Sequence, residues 1–233
     1  MPSLLGWSLA LSTGVAYAIY HSHKSLGNRV QHGNQKGTLP RDLRNTMTSI
    51  PEAVFSDEYR AFHDRASSRV PRHLLPAQDL SELFTLLQRR NMMVFNYFPQ
   101  AYLLCLMAPP ERKKTFAASH IQSLDFKEGD IVNGMYQVCE REKDKVVYAM
   151  EGGGKFSGRL SVRYWEEGDE VVYCTETAMW TKATGDNGRT VQMPLEQPAF
   201  RFLHELAAWW LLDSGTGYLK GLARGTSADV KEK

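Results

Sequence analysis

A chain of 233 residues with 42% hydrophobic and 23% charged side chains can bury a sizeable core, which excludes a disordered or fibrous polypeptide. A formal net charge of +2 carries no polyanion-binding signature, so nucleic acid is not an expected partner. The three cysteines, Cys105, Cys139 and Cys174, have neither CxxC spacing nor clustered histidines. They read as small buried hydrophobes rather than a disulfide framework or a zinc site, and no metal or cofactor is expected.

From Leu4 to Tyr20 there is no charged side chain. At ~1.5 Å per residue such a run is near the lower limit for crossing a bilayer of ~30 Å, so residues 1–22 are expected to be a single-pass transmembrane helix. Lys24, Arg29, Lys36, Arg41 and Arg44 follow it and no basic residue precedes it. The positive-inside rule then places the body of the chain in the cytosol, and says nothing of which organelle. A cleaved signal peptide is the competing reading, because Ala16-Tyr17-Ala18 fits a small-x-small cleavage site. Residues 23–48 are polar, contain Gly27, Gly33, Gly37 and Pro40, and show no sustained apolar period. They are expected to form a flexible tether.

A single α+β domain is expected over 49–225, followed by a disordered tail at 226–233. Phe55, Tyr59 and Phe62 have helix-like spacing ahead of Pro71 and Pro76. Asp79 with Glu82 three positions later forms a capping-box pattern ahead of Leu80, Leu83, Phe84 and Leu87, so a helix is expected there. Met92–Met107 is apolar around Pro99, which suggests a strand to Tyr97 and a helix from Pro99 to Met107, with a second membrane span as the competing assignment. A short charged helix is expected over 111–118. Residues 131–140 and 145–151, and then 159–166 and 170–181, read as two hairpins rich in Val and Tyr. From Pro198 a long helix is apolar nearly all round, including Trp209 and Trp210, and must be buried against something large.

Short helices, an antiparallel meander and one long aromatic-rich C-terminal helix, in that order over residues 77–222, resemble the helix-grip architecture of the START and related lipid-transfer and polyketide-cyclase superfamily. The resemblance implies a sheet wrapped around the last helix with an apolar cavity between them. Five or six strands can be counted where that fold has seven, and a hot-dog fold is the structural competitor. The run from Leu124 to Val132, followed by Gly134 and Tyr136, also resembles a fungal family, which implies a place in secondary metabolism and no mechanism.

Glu176 shares a strand face with Val172, Cys174, Ala178 and Trp180. If that face is interior, the carboxyl sits in apolar surroundings with a raised pKa suited to proton transfer; the alternative is a cross-strand ion pair with an arginine such as Arg163. His120 and His204 are its candidate acid-base partners, each of which could instead be a hydrogen-bonded structural histidine. Tyr136, Tyr148, Tyr164 and Tyr173 would supply hydroxyls to a cavity, and the expected ligand-binding set is Tyr136, Tyr164, Tyr173, Trp180 and Trp210. Gly152-Gly153-Gly154-Lys155 fails as a phosphate loop because Phe156 follows the lysine, and no GxSxG, HExxH, GxGxxG or EF-hand pattern is present.

Three functions stay open. The first is a membrane-anchored protein holding a hydrophobic small molecule, such as a lipid or polyketide-like intermediate, between sheet and C-terminal helix. The second is a cyclase, isomerase or thioesterase-like enzyme using Glu176 as acid or base. The third is an interaction protein docking a protein partner or a membrane through its aromatic C-terminal helix.

Overall fold

The computed structural model describes residues 4–151, 155–184 and 191–231. In chain order it contains α1 (Leu4–Gly27), β1 (Gln31–Gly37), α2 (Leu43–Thr46), β2 (Tyr59–Pro71), α3 (Leu80–Phe95), α4 (Pro99–Met107), α5 (Pro110–Lys113) and α6 (Ala118–Ser123). There follow β3 (Ile131–Val132), β4 (Tyr136–Arg141), β5 (Lys145–Glu151), β6 (Ser157–Glu167), β7 (Glu170–Lys182) and α7 (Pro198–Lys231). The strands form one antiparallel sheet in the order β1-β2-β7-β6-β5-β4-β3. The expected architecture, an antiparallel sheet packed on a long C-terminal helix, is therefore present.

Alternation along the strands assigns the two faces. Tyr148, Tyr164, Val171 and Tyr173 pack with Leu83, Phe84 and Leu87 of α3, Trp209, Leu212 and Leu219 of α7, and Leu26 at the end of α1. Their neighbours in sequence turn the other way. Ala61, Val147, Ala178 and Trp180 pack beneath Leu39, Leu43, Met47, Ile50 and Val54, a segment that crosses the outer face of the sheet.

This overturns the tether. Leu26, Val30, Leu39, Leu43 and Met47 are buried, and β1 pairs with β2 from Gln31 opposite Ser67 to Gly37 opposite Ala61. The apolar residues there are too irregularly spaced for a helix or strand period, and β1 itself is wholly polar. That composition suits an exposed edge strand, which discourages further strand addition, and gives no β signal in sequence.

The N-terminal segment is helical, but among the described residues no helix is long and apolar enough to cross a membrane. The expected span is diluted by Ser8, Ser12, Thr13 and two glycines, and the helix runs on through His21, Ser22, His23 and Lys24.

Three smaller corrections have local causes. The Phe55–Phe62 segment is a 3-10 turn at Glu52–Phe55 followed by the 13-residue β2, whose pairing with the equally long β7 outweighs its weak intrinsic preference. The strand expected before Tyr97 is the end of α3. Residues 131–140 are two strands because Asn133 and Gly134 both take positive φ, 51° and 75°, between β3 and β4. A Cβ at Gly134 would lie 2.8 Å from the Phe116 ring, so glycine is required there on two counts. Further on, α7 passes beyond Arg224 into the expected tail, while Gly152–Gly154 and residues 185–190 lie outside the described residues.

Candidate functional site

An open groove of about 640 Å³ lies beside α3. Asp79 starts that helix by accepting the Ser81 N–H at 2.7 Å. The helical repeat turns Leu83, Phe84 and Leu87 into the core and leaves Ser81, Glu82, Thr85, Leu86 and Arg89 as one wall of the groove. Arg141, Glu142 and Lys143, at the β4–β5 turn, form the opposite wall, and Asp125 closes one end.

Most charges around the groove are matched. Arg89 donates to the Leu124 carbonyl at 2.8 Å and to Asp125 at 3.0 Å. Lys143 pairs with Asp79 at 3.5 Å, and Glu142 with Lys145 at 2.7 Å. Arg141 differs. Its guanidinium donates to the Thr85 hydroxyl at 3.1 Å and lies 5.4 Å over the Phe84 ring, with no carboxylate in ion-pair reach among the described residues. Burial lowers its pKa, opposed by the Tyr148 and Tyr164 hydroxyls and by Asp125 and Asp144. A guanidinium stays charged through any such shift, so this is a half-buried cation awaiting a counter-charge.

Under the groove lies an aromatic cluster. Tyr136 and Phe126 each approach Tyr148 edge-on with ring centroids 6.2 Å apart, Phe84 lies 5.3 Å from Tyr164, and Tyr173 lies 6.1 Å from Tyr164. The Tyr148 hydroxyl donates to the Gln88 carbonyl oxygen at 3.1 Å. The Gln88 amide nitrogen and the Tyr173 hydroxyl are buried without a hydrogen-bond partner among the described residues. Burial pushes the Tyr136 hydroxyl up to about 12 and raises Tyr148, Tyr164 and Tyr173 as well, so all four are neutral hydrogen-bonding groups.

The expected ligand-binding residues therefore separate. Tyr136, Tyr164 and Tyr173 come together on the helix side. Trp180 lies on the outer face under Arg159, 5.3 Å from its ring, and Trp210 is partly exposed on α7 against Phe98 and Arg90. Between the sheet and α7, where a ligand cavity was expected, Trp209, Leu212 and Leu219 pack into the main core.

The expected acid-base residues do not converge either. Glu176 lies on the outer face, turned away from α7, with Arg163 Nε at 3.1 Å from one oxygen and Arg65 Nε and His63 Nε2 each at 3.7 Å from the other. At 3.7 Å neither is a hydrogen bond, and of the two it is Arg65 that brings a permanent charge. Burial alone would push the carboxyl up; His63, Arg163 and Arg65 outweigh it and hold it below the usual carboxylate value. The side chain is thus a buried, paired carboxylate, the opposite of a raised-pKa acid. His204, on α7, sits 3.1 Å from both oxygens of buried Asp64, and His120, on α6, bonds the Ile131 carbonyl at 2.9 Å. These are three places with three sets of partners. Burial raises the Cys174 thiol to about 11, which makes it inert at neutral pH.

No family model matches the chain, and no curated protein matches it. Among solved structures, it is similar to the crystal structure of CalU16 from Micromonospora echinospora, at 12% identity over 84% of this chain and 98% of that one, with a TM-score of 0.34. The solution NMR structure of the same protein is similar at 14% identity over 80% of this chain and 96% of that one, with a TM-score of 0.28. Likenesses this loose carry no argument, and the site must be read from its own chemistry. Arg141, Arg89 and Asp125 had no signal in sequence: a turn arginine, a mid-helix arginine and a loop aspartate look alike wherever they occur.

Proposed function

We propose that the protein is a binding module for a small amphipathic organic anion. The acidic group seats on Arg141 in the groove beside α3, and the apolar part lies along Leu86. One observation carries this reading: Arg141 is the half-buried cation of the groove that has a hydroxyl and an aromatic face as neighbours but no carboxylate. A charge-assisted hydrogen bond to a desolvated guanidinium contributes about 1.5–3 kcal/mol, enough to select an acid over its neutral analogue. A fatty acid is one such ligand and a carboxylated polyketide another, each offering one acidic group to Arg141 and an apolar part to Leu86.

A fluorescent fatty acid and its methyl ester, titrated against the full chain, test the proposal. The acid is expected to bind more tightly than the ester, and Arg141→Gln to weaken the acid by about tenfold or more while leaving the ester unchanged. Equal loss for both ligands, or no difference between acid and ester in the unsubstituted protein, would remove Arg141 as the anchor. An enzymatic role through Glu176 has less behind it, since that carboxylate is held ionised by two arginines on the face opposite the groove.

A further inference from the structure

The end of the molecule that holds the first turns of α7 gathers apolar side chains that nothing covers. Four of the nine residues of α4 are exposed and apolar or aromatic, Tyr102 at 67%, Leu103 at 49%, Leu106 at 78% and Met107 at 72%. Only Ala101 of this helix is buried. Exposed apolar side chains scattered singly are ordinary; four on one short helix are not.

Two sets of contacts fix where this helix points. The Phe98 ring lies 5.6 Å from Trp210, and the Gln100 amide donates to the Leu203 carbonyl at 2.7 Å. The chain therefore enters α4 beside the middle of α7 and heads toward the N-terminus of α7, where Phe200 is itself 45% exposed. On another side of α7, α1 runs parallel to it: His23 stacks on Phe202 and pairs with Glu205, and six residues later Arg29 pairs with Asp213. Tyr20 and Tyr17, both exposed, precede His23 on α1 and so lie toward the N-terminal end of α7.

We propose that this end of the molecule is a membrane-docking face, in which α4 and the exposed turn of α1 that carries Tyr17, Ile19 and Tyr20 lie in the interfacial layer of an anionic lipid surface without crossing it. Two features select lipid over protein. The exposed set is rich in tyrosine, whose ring and hydroxyl suit the boundary between acyl chains and headgroups. Within seven residues of Met107 come Arg112, Lys113 and Lys114, with both lysines exposed, so the apolar helix is followed at once by a basic cluster matched to anionic headgroups. Exposed Lys24 adds a further cation on α1. Apolar area supplies the insertion and the basic cluster the preference for negative lipid.

Flotation of the full chain with vesicles of phosphatidylcholine alone, and of phosphatidylcholine with phosphatidylserine, tests this. The protein is expected to float with both and more strongly with the anionic vesicles, a preference that salt weakens. Replacing Leu106 and Met107 together by Asp should lower partition at least about tenfold on both vesicle types with the thermal unfolding midpoint unchanged, since neither side chain is in the core. Should that variant unfold early, Tyr102→Asp is read in its place. Lys113→Glu with Lys114→Glu should lower binding to the anionic vesicles about tenfold and leave the neutral ones as they were. Absence of flotation, full partition by the aspartate variants, or self-association of the full chain with no vesicle binding would each overturn the proposal, the last by making the face an interface between copies.

Discussion

Glu176 on the outer face of the sheet and Arg141 on the helix side bury charge in opposite ways. On the outer face each buried carboxylate has its cation: Glu176 is held by Arg163 and Arg65, and Glu140 by Lys145 at 3.0 Å. On the helix side, beside the groove, Arg141 has the Thr85 hydroxyl, the Lys145 carbonyl at 3.5 Å and the Phe84 ring, but no carboxylate in ion-pair reach among the described residues. Burying an ion costs several kcal/mol unless a partner compensates, so a matched network reads as structure and an unmatched cation reads as a place for something else. Burial of a titratable group does not by itself mark a site. What matters is whether its partner is already supplied.

The largest expected effect comes from breaking the matched side. Glu176→Gln leaves Arg163 and Arg65 facing each other without a counter-charge, and should destabilise the fold by about 3 kcal/mol in chemical denaturation, at the low end for a broken buried pair. It belongs at the low end because Arg65 is 42% and Arg163 22% exposed, so water takes up part of the loss. Ligand titration at the groove should be unchanged in this variant. Weakened binding would show that the two faces are coupled and that the contrast between them is false.

A smaller effect is expected where α3 meets α7. A Cβ at Gly215 would come within 2.6 Å of Leu87 Cδ1 and 2.8 Å of Asn91 Oδ1. Overpacking costs about 1–3 kcal/mol, offset by about 1 kcal/mol of helix propensity, so Gly215→Ala should destabilise by about 1 kcal/mol net. Because it pushes on α3, which is one wall of the groove, it should also weaken binding, which the outer-face variant should not. A stabilised Gly215→Ala protein would mean that Leu87 moves aside freely and that the seam is looser than its burial suggests.

Much of the sheet and both long helices could be read from sequence because their signals are local. The capping pattern at Asp79 and Glu82, the alternation of Leu160, Val162 and Tyr164 against Arg159, Ser161 and Arg163, and the aromatic run after Pro198 each act within a few residues. The first quarter of the fold was illegible because its order is imposed from outside. β1 is a polar, glycine-containing heptad that is a strand only because β2 pairs with it, and Leu39, Leu43 and Met47 reach the core along an irregular path. The parity of the Glu176 face was correct in sequence, but which face meets α7 is a tertiary fact. Of the two readings that Glu176 allowed, interior acid or cross-strand ion pair with Arg163, it is the ion pair that forms, because that face lies away from α7. The groove was invisible for the same reason: Thr85, Asp125 and Arg141 meet only once α3 lies across the sheet.

The smallest expected effect separates the two faces by pH. His204 on α7 faces Asp64 on β2; burial alone would lower the pKa of its ring, but the Asp64 carboxylate, with help from Glu205, outweighs it and raises it above 6.5. A histidine whose folded value is raised adds stability that is fully present below its unfolded value and is lost as pH rises through the folded one. Glu176 behaves in the reverse sense. Its value is lowered from 4.5, so its contribution is present above that pH and is lost as pH falls through the folded value. The outer face should thus weaken in acid and the α7–β2 contact in mild alkali. Unfolding free energy should decline as pH is raised from about 6 toward 8, and His204→Gln should flatten that slope while leaving the acid limb in place. The effect should be smaller than either substitution above, because a single pair is involved and the His204 side chain is 23% exposed to screening water. An unchanged slope in His204→Gln would mean that the ring is not protonated in the fold and that its bond to Asp64 is a neutral one.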